Sequence, residues 1–448
     1  MDALLLIVYL LLSLLAIVEA GLVAAQTWEH HRFARRRLAR LHQHRPVGRV
    51  MVFVPCKGLD HGIGRNLATL FQQDYPDYSV RFVVESEDDP VCAVIDRIRA
   101  QHPWIDSEMV VAGRTNSAGQ KVHNLSVATA KIPEGVEHLA FVDSDARLRH
   151  QWLRALVTEL DRPEIGAVTG YRWFVPESPT FVNHFLYSMN SNIAVFLGLH
   201  PPTIVWGGSW AIRRDRFESL RIREAWEGTL SDDLVASRVL RNAGQRVVFE
   251  PGCMVASPLN VSLRDAIWFA RRQYFMGRFY IPLWTHLAFL LVFFANSVFY
   301  GSLALAVVCV KTNLFSPSIP IAVFGVLWLI SVFSGVCRQD LAAVYYPHLR
   351  HRLRRARHFE VWAGPLVALV NCLAMGSALI GRSATWRGIT YRLRGDGQVA
   401  WLRRNAEPQE SNDLTLTNPQ VSDDSPPPPL WQDNRDIAAS STVSGNPC

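Results

Sequence analysis

Phe141-Val142-Asp143-Ser144-Asp145-Ala146 is the stretch on which the reading of this chain turns. The apolar run His138-Leu139-Ala140-Phe141-Val142 reads as a buried parallel strand, and Val142 is its last apolar residue. Asp143 and Asp145 therefore stand just past the carboxyl end of that strand. In open α/β sheets ligands bind at this edge. Two carboxylates one residue apart are hard oxygen donors, suited to a divalent ion shared with phosphates. A D-x-D pair in any polar turn looks the same, so its neighbours must carry the reading.

Upstream, strand-like runs at 50–54, 80–84 and 109–111 alternate with helix-like segments and end at Pro55, an acidic loop and Gly113. That alternation implies parallel strands joined by right-handed crossovers, each stopping on the same edge. The loop Glu85-Ser86-Glu87-Asp88-Asp89-Pro90 puts a second carboxylate cluster near the first, with a solvated acidic turn as the plain alternative. A third follows Trp206-Gly207-Gly208-Ser209-Trp210, where Ser231-Asp232-Asp233 opens a helix that stops at Gly244. Ser231 or Asp232 is able to cap that helix. Capping needs one acid rather than two, and the second suits a general base. Gly207 and Gly208 lack side chains, which lets a bound molecule approach the backbone closely.

The chain has 448 residues, 49% of them hydrophobic, and a formal charge of +7. Apolar residues concentrate at the ends, whereas 50–260 reads like a soluble α/β protein. Residues 3–25 are long enough to span a bilayer. They lack the basic leader of a cleaved signal peptide and are followed by Arg32, Arg35, Arg36, Arg37 and Arg40. That flank belongs in the cytosol. Residues 287–310 and 319–336 form a spanning hairpin, after which Arg338, Arg350, Arg352, Arg354, Arg355 and Arg357 are again cytosolic. A further apolar segment, 361–380, has basic residues on both sides and reads as re-entrant or interfacial, with Pro365, Asn371 and Gly376 as breaks. Arginines beside apolar runs suit an anionic leaflet rather than nucleic acid. The seven cysteines form no C-x-x-C pair and read as reduced and structural.

In this order the motifs resemble the family 2 glycosyltransferases of GT-A fold, most closely the ceramide glucosyltransferases, over residues 45–396. Asp88-Asp89-Pro90 resembles the motif that meets the uridine nucleotide, and Gln120-Lys121-Val122-His123-Asn124-Leu125 a K-x-N-N-L stretch. By the same resemblance Asp143 and Asp145 hold a divalent metal, Mg²⁺ or Mn²⁺, with the diphosphate. His200-Pro201 binds substrate, and Asp233, the last acid of Ser231-Asp232-Asp233, is the base. Trp386-Arg387 with Tyr391-Arg392-Leu393-Arg394 is similar to the C-terminal signature.

One motif departs from the family. The helix after Ser262 should carry (Q/R)-x-x-R-W, and this chain has Phe269-Ala270-Arg271-Arg272-Gln273, with Arg272 in register but no tryptophan. In processive synthases that tryptophan meets the acceptor sugar. Arg271 and Arg272 suit a diphosphate leaving group or, equally, snorkelling at a membrane.

The expectation is thus an α/β fold, a Rossmann-like GT-A domain flanked by transmembrane helices. Its parts are an anchor at 1–26, a cytosolic catalytic domain at 27–282, a transmembrane or re-entrant region at 283–381, a cytosolic-face segment at 382–404 and a disordered tail at 405–448. The implied activity is inverting transfer of a glucose- or GlcNAc-like hexose from a UDP-sugar to a ceramide- or hopanoid-like hydroxyl at the bilayer. A processive polysaccharide synthase and a non-catalytic membrane binding protein are the alternatives.

Overall fold

The structure, a computed structural model, describes residues 2–45, 48–60, 62–198 and 203–404. The expected disordered tail and the His200-Pro201 pair lie outside them.

The part of the chain between the first apolar helix and the later ones is built on a seven-stranded sheet. Its strands are β1 (Arg49–Pro55), β2 (Tyr78–Val84), β3 (Ser107–Val111), β4 (Val136–Val142), β5 (Ile165–Thr169), β7 (Ser209–Arg213) and β8 (Arg246–Phe249). Their spatial order is β3-β2-β1-β4-β7-β5-β8. β1, β2, β3 and β4 are mutually parallel, and β7 runs antiparallel between β4 and β5. Both faces of this sheet are covered, which is why β1 and β4 read as unbroken apolar runs. Val50, Val52 and Val54 enter one core, while Met51 and Phe53 enter the other. On that second face Phe141 stacks on Trp210 of β7 at 4.4 Å between ring centroids. The pair fixes the strand that Asp143 follows.

Two smaller sheets attach to the edges. β6 (Arg172–Pro176) pairs with β9 (Val255–Leu259), and β10 (Ser383–Trp386), β11 (Ile389–Leu393) and β12 (Val399–Arg404) form an antiparallel meander. The meander packs on the elements of the seven-stranded sheet. Tyr391 Oη accepts the Gln120 N–H at 3.2 Å, and Arg404 donates to Glu85 at 3.1 Å.

Among the described residues four helices are long and apolar enough to cross a membrane: Ala3–Leu38, Pro282–Thr312, Ser318–Tyr345 and Arg354–Ala378. The first belongs to an unbroken 37-residue helix, Asp2–Leu38, so the expected boundary at 26/27 falls inside a helix. It exposes leucines such as Leu4, Leu11 and Leu22, whereas Thr27, His30 and Ala34 are buried, with His30 bonded to Tyr345 Oη at 3.0 Å and set against the Phe249 ring. Arg37, in its last turn, bonds Glu159 (2.7 Å) and Glu250 (2.5 Å). Tyr9 Oη donates to Ser302 Oγ at 2.9 Å, tying the anchor to the Pro282–Thr312 helix.

The segment at 361–380 differs from its reading in one respect. Pro365 does not break it, and Arg354–Ala378 is continuous. Proline is tolerated inside apolar helices that pack among others. Glu360 inside it bonds Arg338 (2.5 Å) and Ser191 (2.6 Å).

Candidate active site

Three chain segments meet at the carboxyl edge of β4. β4 delivers Asp143 and Asp145, the helix Gln120–Ala128 delivers Lys121 and Asn124, and the helix Asp232–Asn242 delivers its first two residues. Lys121 is the hub. Its Nζ lies 2.8 Å from Asp143 Oδ1 and 3.4 Å from Asp232 Oδ1, and donates to the Gly207 carbonyl at 3.1 Å. Burial works against its ammonium, yet Asp143, Asp232 and Asp233 around it raise its pKa above that of an ordinary lysine.

The two acids at the helix start divide their work differently from the expectation. Ser231 is the cap, accepting the Leu234 N–H, and Asp233 rather than Asp232 joins it. Asp233 Oδ1 accepts from the Ser231 hydroxyl (2.6 Å) and the Leu234 N–H (2.8 Å), and its Oδ2 accepts from the Gly207 N–H (2.9 Å). The carboxylate expected to be free is therefore held by three donors. Of its four acceptor positions one remains, on Oδ2. Asp232 is buried, its Oδ2 has no hydrogen-bond partner, and it caps nothing with its side chain. Burial, opposed by Lys121 and reinforced by Asp233 and Asp143, pushes its pKa up to about 7.

Gly207 and Gly208 are needed for a reason the sequence did not suggest. A Cβ on Gly207 would lie 2.8 Å from Asp232 Oδ2, and one on Gly208 would lie 2.2 Å from the Trp206 ring and 2.7 Å from Asp143 Oδ2. The protein's own carboxylates, not a sugar, occupy that space.

A guanidinium closes the acid pair. Arg172, at the start of β6, reaches Asp143 Oδ2 and Asp145 Oδ2, both at 3.3 Å, and lies over Trp206. Asp145 Oδ1 is buried without a partner. Burial raises the pKa of Asp145, with Arg172 opposing and Asp143 reinforcing. A cation in the apolar run Tyr171-Arg172-Trp173-Phe174-Val175 was the legible signal for Arg172.

The remaining candidates separate. Arg272 faces the cleft over Trp386, 5.0 Å from the ring centroid. Arg271 does not: it donates to the carbonyls of Ser377 and Ile380, tying down the end of the Arg354–Ala378 helix. Gln273 is exposed, and Trp386 of the meander supplies an indole over Arg272. Asn124 lines the cleft, accepting from Gln120 at 2.8 Å. Asp88 and Asp89 sit at the loop after β2 and are not among the residues lining the cleft. Asp89 accepts the Gly58 and Val91 N–H groups, and Glu85 pairs with Lys57 at 2.8 Å. These bonds relieve the repulsion that four clustered acids would carry.

The cleft at this edge has a volume of about 860 Å³ and is lined by Lys121, Asn124, Asp143, Asp145, Arg172 and Arg272, whereas Asp232 and Asp233 are not among its lining residues. Its floor is charged. Its wall is apolar, made by Phe174, Leu186, Leu259, Val261, Trp268 and Phe269. Trp268 continues outward into exposed Leu263 and Ile267 on the same helix, Leu263–Tyr280.

The model of glycosyl transferase family 21 matches residues 10–399, spanning the anchor, the acid clusters and the meander. The chain belongs to glycosyl transferase family 21. The resemblance drawn from the motifs is thereby supported, with 21 as the family matched, and the sheet is the GT-A type α/β arrangement expected. A ceramide glucosyltransferase of Komagataella phaffii is 31% identical over 81 residues, 17% of this chain and 16% of that protein. The chain thus matches about a sixth of that curated relative's length. Among solved structures, a mannosyltransferase from Pyrobaculum calidifontis in complex with GDP-Man and Mn²⁺ is 18% identical, with a TM-score of 0.39 over 80% of this chain and 99% of that one. GalNAc-T7 with UDP, GalNAc and Mn²⁺ is 11% identical, with a TM-score of 0.37 over 50% and 48%. In this family 21 chain the described cysteines, Cys56 to Cys372, are all free and buried.

Proposed function

We propose that this protein is an inverting glycosyltransferase that moves a glucose- or GlcNAc-like hexose from a UDP-sugar to a lipid hydroxyl on the cytosolic face of a membrane. The observation that carries the reading is the two-sided cleft. A charged floor at the strand edge suits a nucleotide diphosphate, and an apolar wall running out to exposed Trp268, Ile267 and Leu263 suits an acceptor arriving from lipid. The acceptor class is a ceramide- or hopanoid-like alcohol.

Asp143 and Asp145 fit a divalent ion, Mg²⁺ or Mn²⁺. The buried, unpartnered Asp145 Oδ1 is an oxygen that only a cation or a donor would satisfy. When bound, such an ion supplies charge neutralisation to the departing UDP. The chain's own residues do the rest. Asp233 Oδ2, aimed by the Gly207 N–H, takes the proton of the acceptor hydroxyl on its open lone pair. The acceptor oxygen forms its bond to the anomeric carbon as the bond to UDP breaks, and UDP leaves with the electron pair, inverting the centre. Lys121 and Arg172 keep the acids from repelling one another before the donor arrives.

For the membrane, the proposed arrangement has the Asp2–Leu38 helix entering from outside and the Pro282–Thr312 and Ser318–Tyr345 helices forming a hairpin. The Arg354–Ala378 helix stays on the catalytic side. Its two ends favour this: Arg352 lies 3.9 Å from Glu177 just before it, and Arg278 donates to the Ala378 carbonyl at its close. The meander that follows must reach Glu85.

The test is transfer of radiolabelled hexose by the purified protein in lipid nanodiscs, from UDP-glucose or UDP-GlcNAc to ceramide or a hopanoid alcohol. One sugar per lipid, in the organic phase and lost with EDTA, is the expected product. A water-soluble polymer would mean a processive synthase. Failure of every UDP-sugar would overturn the reading.

A further inference from the structure

Arg387 occupies a place where arginine is costly. Trp386 and Ile389 pair across the two-residue turn Arg387-Gly388 that joins β10 to β11. Both turn residues have positive φ, 49° at Arg387 and 74° at Gly388. This is the type I′ geometry that favours Asn-Gly or Gly-Gly, since a side chain at positive φ crowds the backbone. Non-glycine residues held there tend to mark functional sites.

The side chain has a task to match. It lines the cleft and makes a two-pronged bond to Asp60, at 2.7 and 2.5 Å, across 327 residues of sequence. Asp60 stands in the loop after β1, on the same strand edge as Asp143. Arg272 is the neighbouring cation, and among the described residues no carboxylate pairs with it. Burial lowers the pKa of Arg272 to about 10, with Arg172 and Arg387 adding to the effect. Arg172 is paired with Asp143 and Asp145 and Arg387 with Asp60, so Arg272 is the one of the three guanidiniums at this edge that no described carboxylate answers, and an anion with several oxygens would fill that role. A guanidinium fork matches phosphate oxygens in pairs.

We propose that Arg387 is a clamp on the diphosphate of the sugar donor, held ready by Asp60 and passed from that carboxylate to the phosphate oxygens when the donor binds. The proposal rests on the nucleotide-donor reading above. The exchange is cheap because the Asp60–Arg387 pair is partly exposed, with 25% and 39% of the two side chains open to solvent. The hairpin also brings Trp386 onto Arg272, so one tip addresses two of the three cations.

The experiment measures UDP and uridine affinity of the full-length protein in detergent. Arg387→Gly keeps a residue suited to φ 49° while removing the guanidinium. It should weaken UDP roughly 10- to 100-fold and leave uridine unchanged, with Arg387→Lys between. Asp60→Asn should move the other way, tightening UDP about 2- to 5-fold by freeing the clamp. A simple strap between loop and hairpin predicts that both changes weaken UDP alike, and that result overturns the proposal. So does an equal loss of uridine and UDP in Arg387→Gly, or no loss at all. Absence of UDP binding by the wild-type protein would instead bring down the donor reading itself, and the clamp with it.

Discussion

Replacing Asp233 by Asn removes one proton-accepting oxygen and turns an amide against the Gly207 N–H. The remaining oxygen still serves the Ser231 hydroxyl and the Leu234 N–H, so two of three bonds survive. The third becomes donor facing donor, where an N–H now 2.9 Å from Asp233 Oδ2 loses its acceptor. An unsatisfied group of this kind costs about 1–3 kcal/mol of local stability. Loss of a general base costs roughly 10²–10⁴ in rate, or about 3–5 kcal/mol of barrier. The two effects separate experimentally. Turnover should fall by the larger factor while UDP-sugar affinity, which rests on the acids and guanidiniums at β4 and β6, stays within about threefold. The assay is turnover, donor affinity and melting temperature for Asp233→Asn beside Asp232→Asn. Normal turnover in Asp233→Asn, or donor affinity falling in step with activity, would refute the assignment. Asp232, with its unpartnered oxygen, would then take the role.

Gly208→Ala should abolish transfer and lower the melting temperature, because its Cβ meets the Trp206 ring at 2.2 Å and Asp143 at 2.7 Å; activity near wild type would contradict the packing. In chelator, stability should decline as pH rises from about 4 through 7, because Asp232 has a folded pKa of about 7 against 3.8. A raised carboxyl pKa stabilises the fold below the unfolded value and gives that stability up as the group ionises, by at most about 4 kcal/mol. Asp232→Asn should flatten the curve followed by denaturant unfolding, and an unchanged slope would assign it to another group. Single cysteines placed at Arg36, Arg354 and Gly395 should be shielded from an impermeant thiol reagent in intact cells, whereas one at Asn313, between the hairpin helices, should label. Labelling at Gly395 alone would make the Arg354–Ala378 helix a true span.

The sequence by itself carried the strand edge and its acids. An apolar run that stops dead at Asp143 can be read locally, because a strand buried on both faces needs no partner information to be recognised. The stretches long and apolar enough to span were legible for the same reason, since bilayer thickness sets a length that a single helix must meet. What those acids do to one another was not legible. Lys121, Asp143, Asp232 and Gly207 lie on separate elements, and only packing decides that Asp233 is gripped by three donors while Asp232 is left with an open oxygen.

Arg271 and Arg272 show the limit most directly. They are neighbours in sequence, alike in chemistry, and a helix turns them about 100° apart. One therefore ties down a helix end and the other faces the cleft. The meander goes further. Nothing near Trp386 or Arg387 in the chain names Arg272 or Asp60 as partners, because contacts across 114 and 327 residues are set by how the sheet and helices close, and hydrogen bonds and stacking act only at a few ångströms. Local pattern determined which residues could do the chemistry; the tertiary structure alone decided which of them meet.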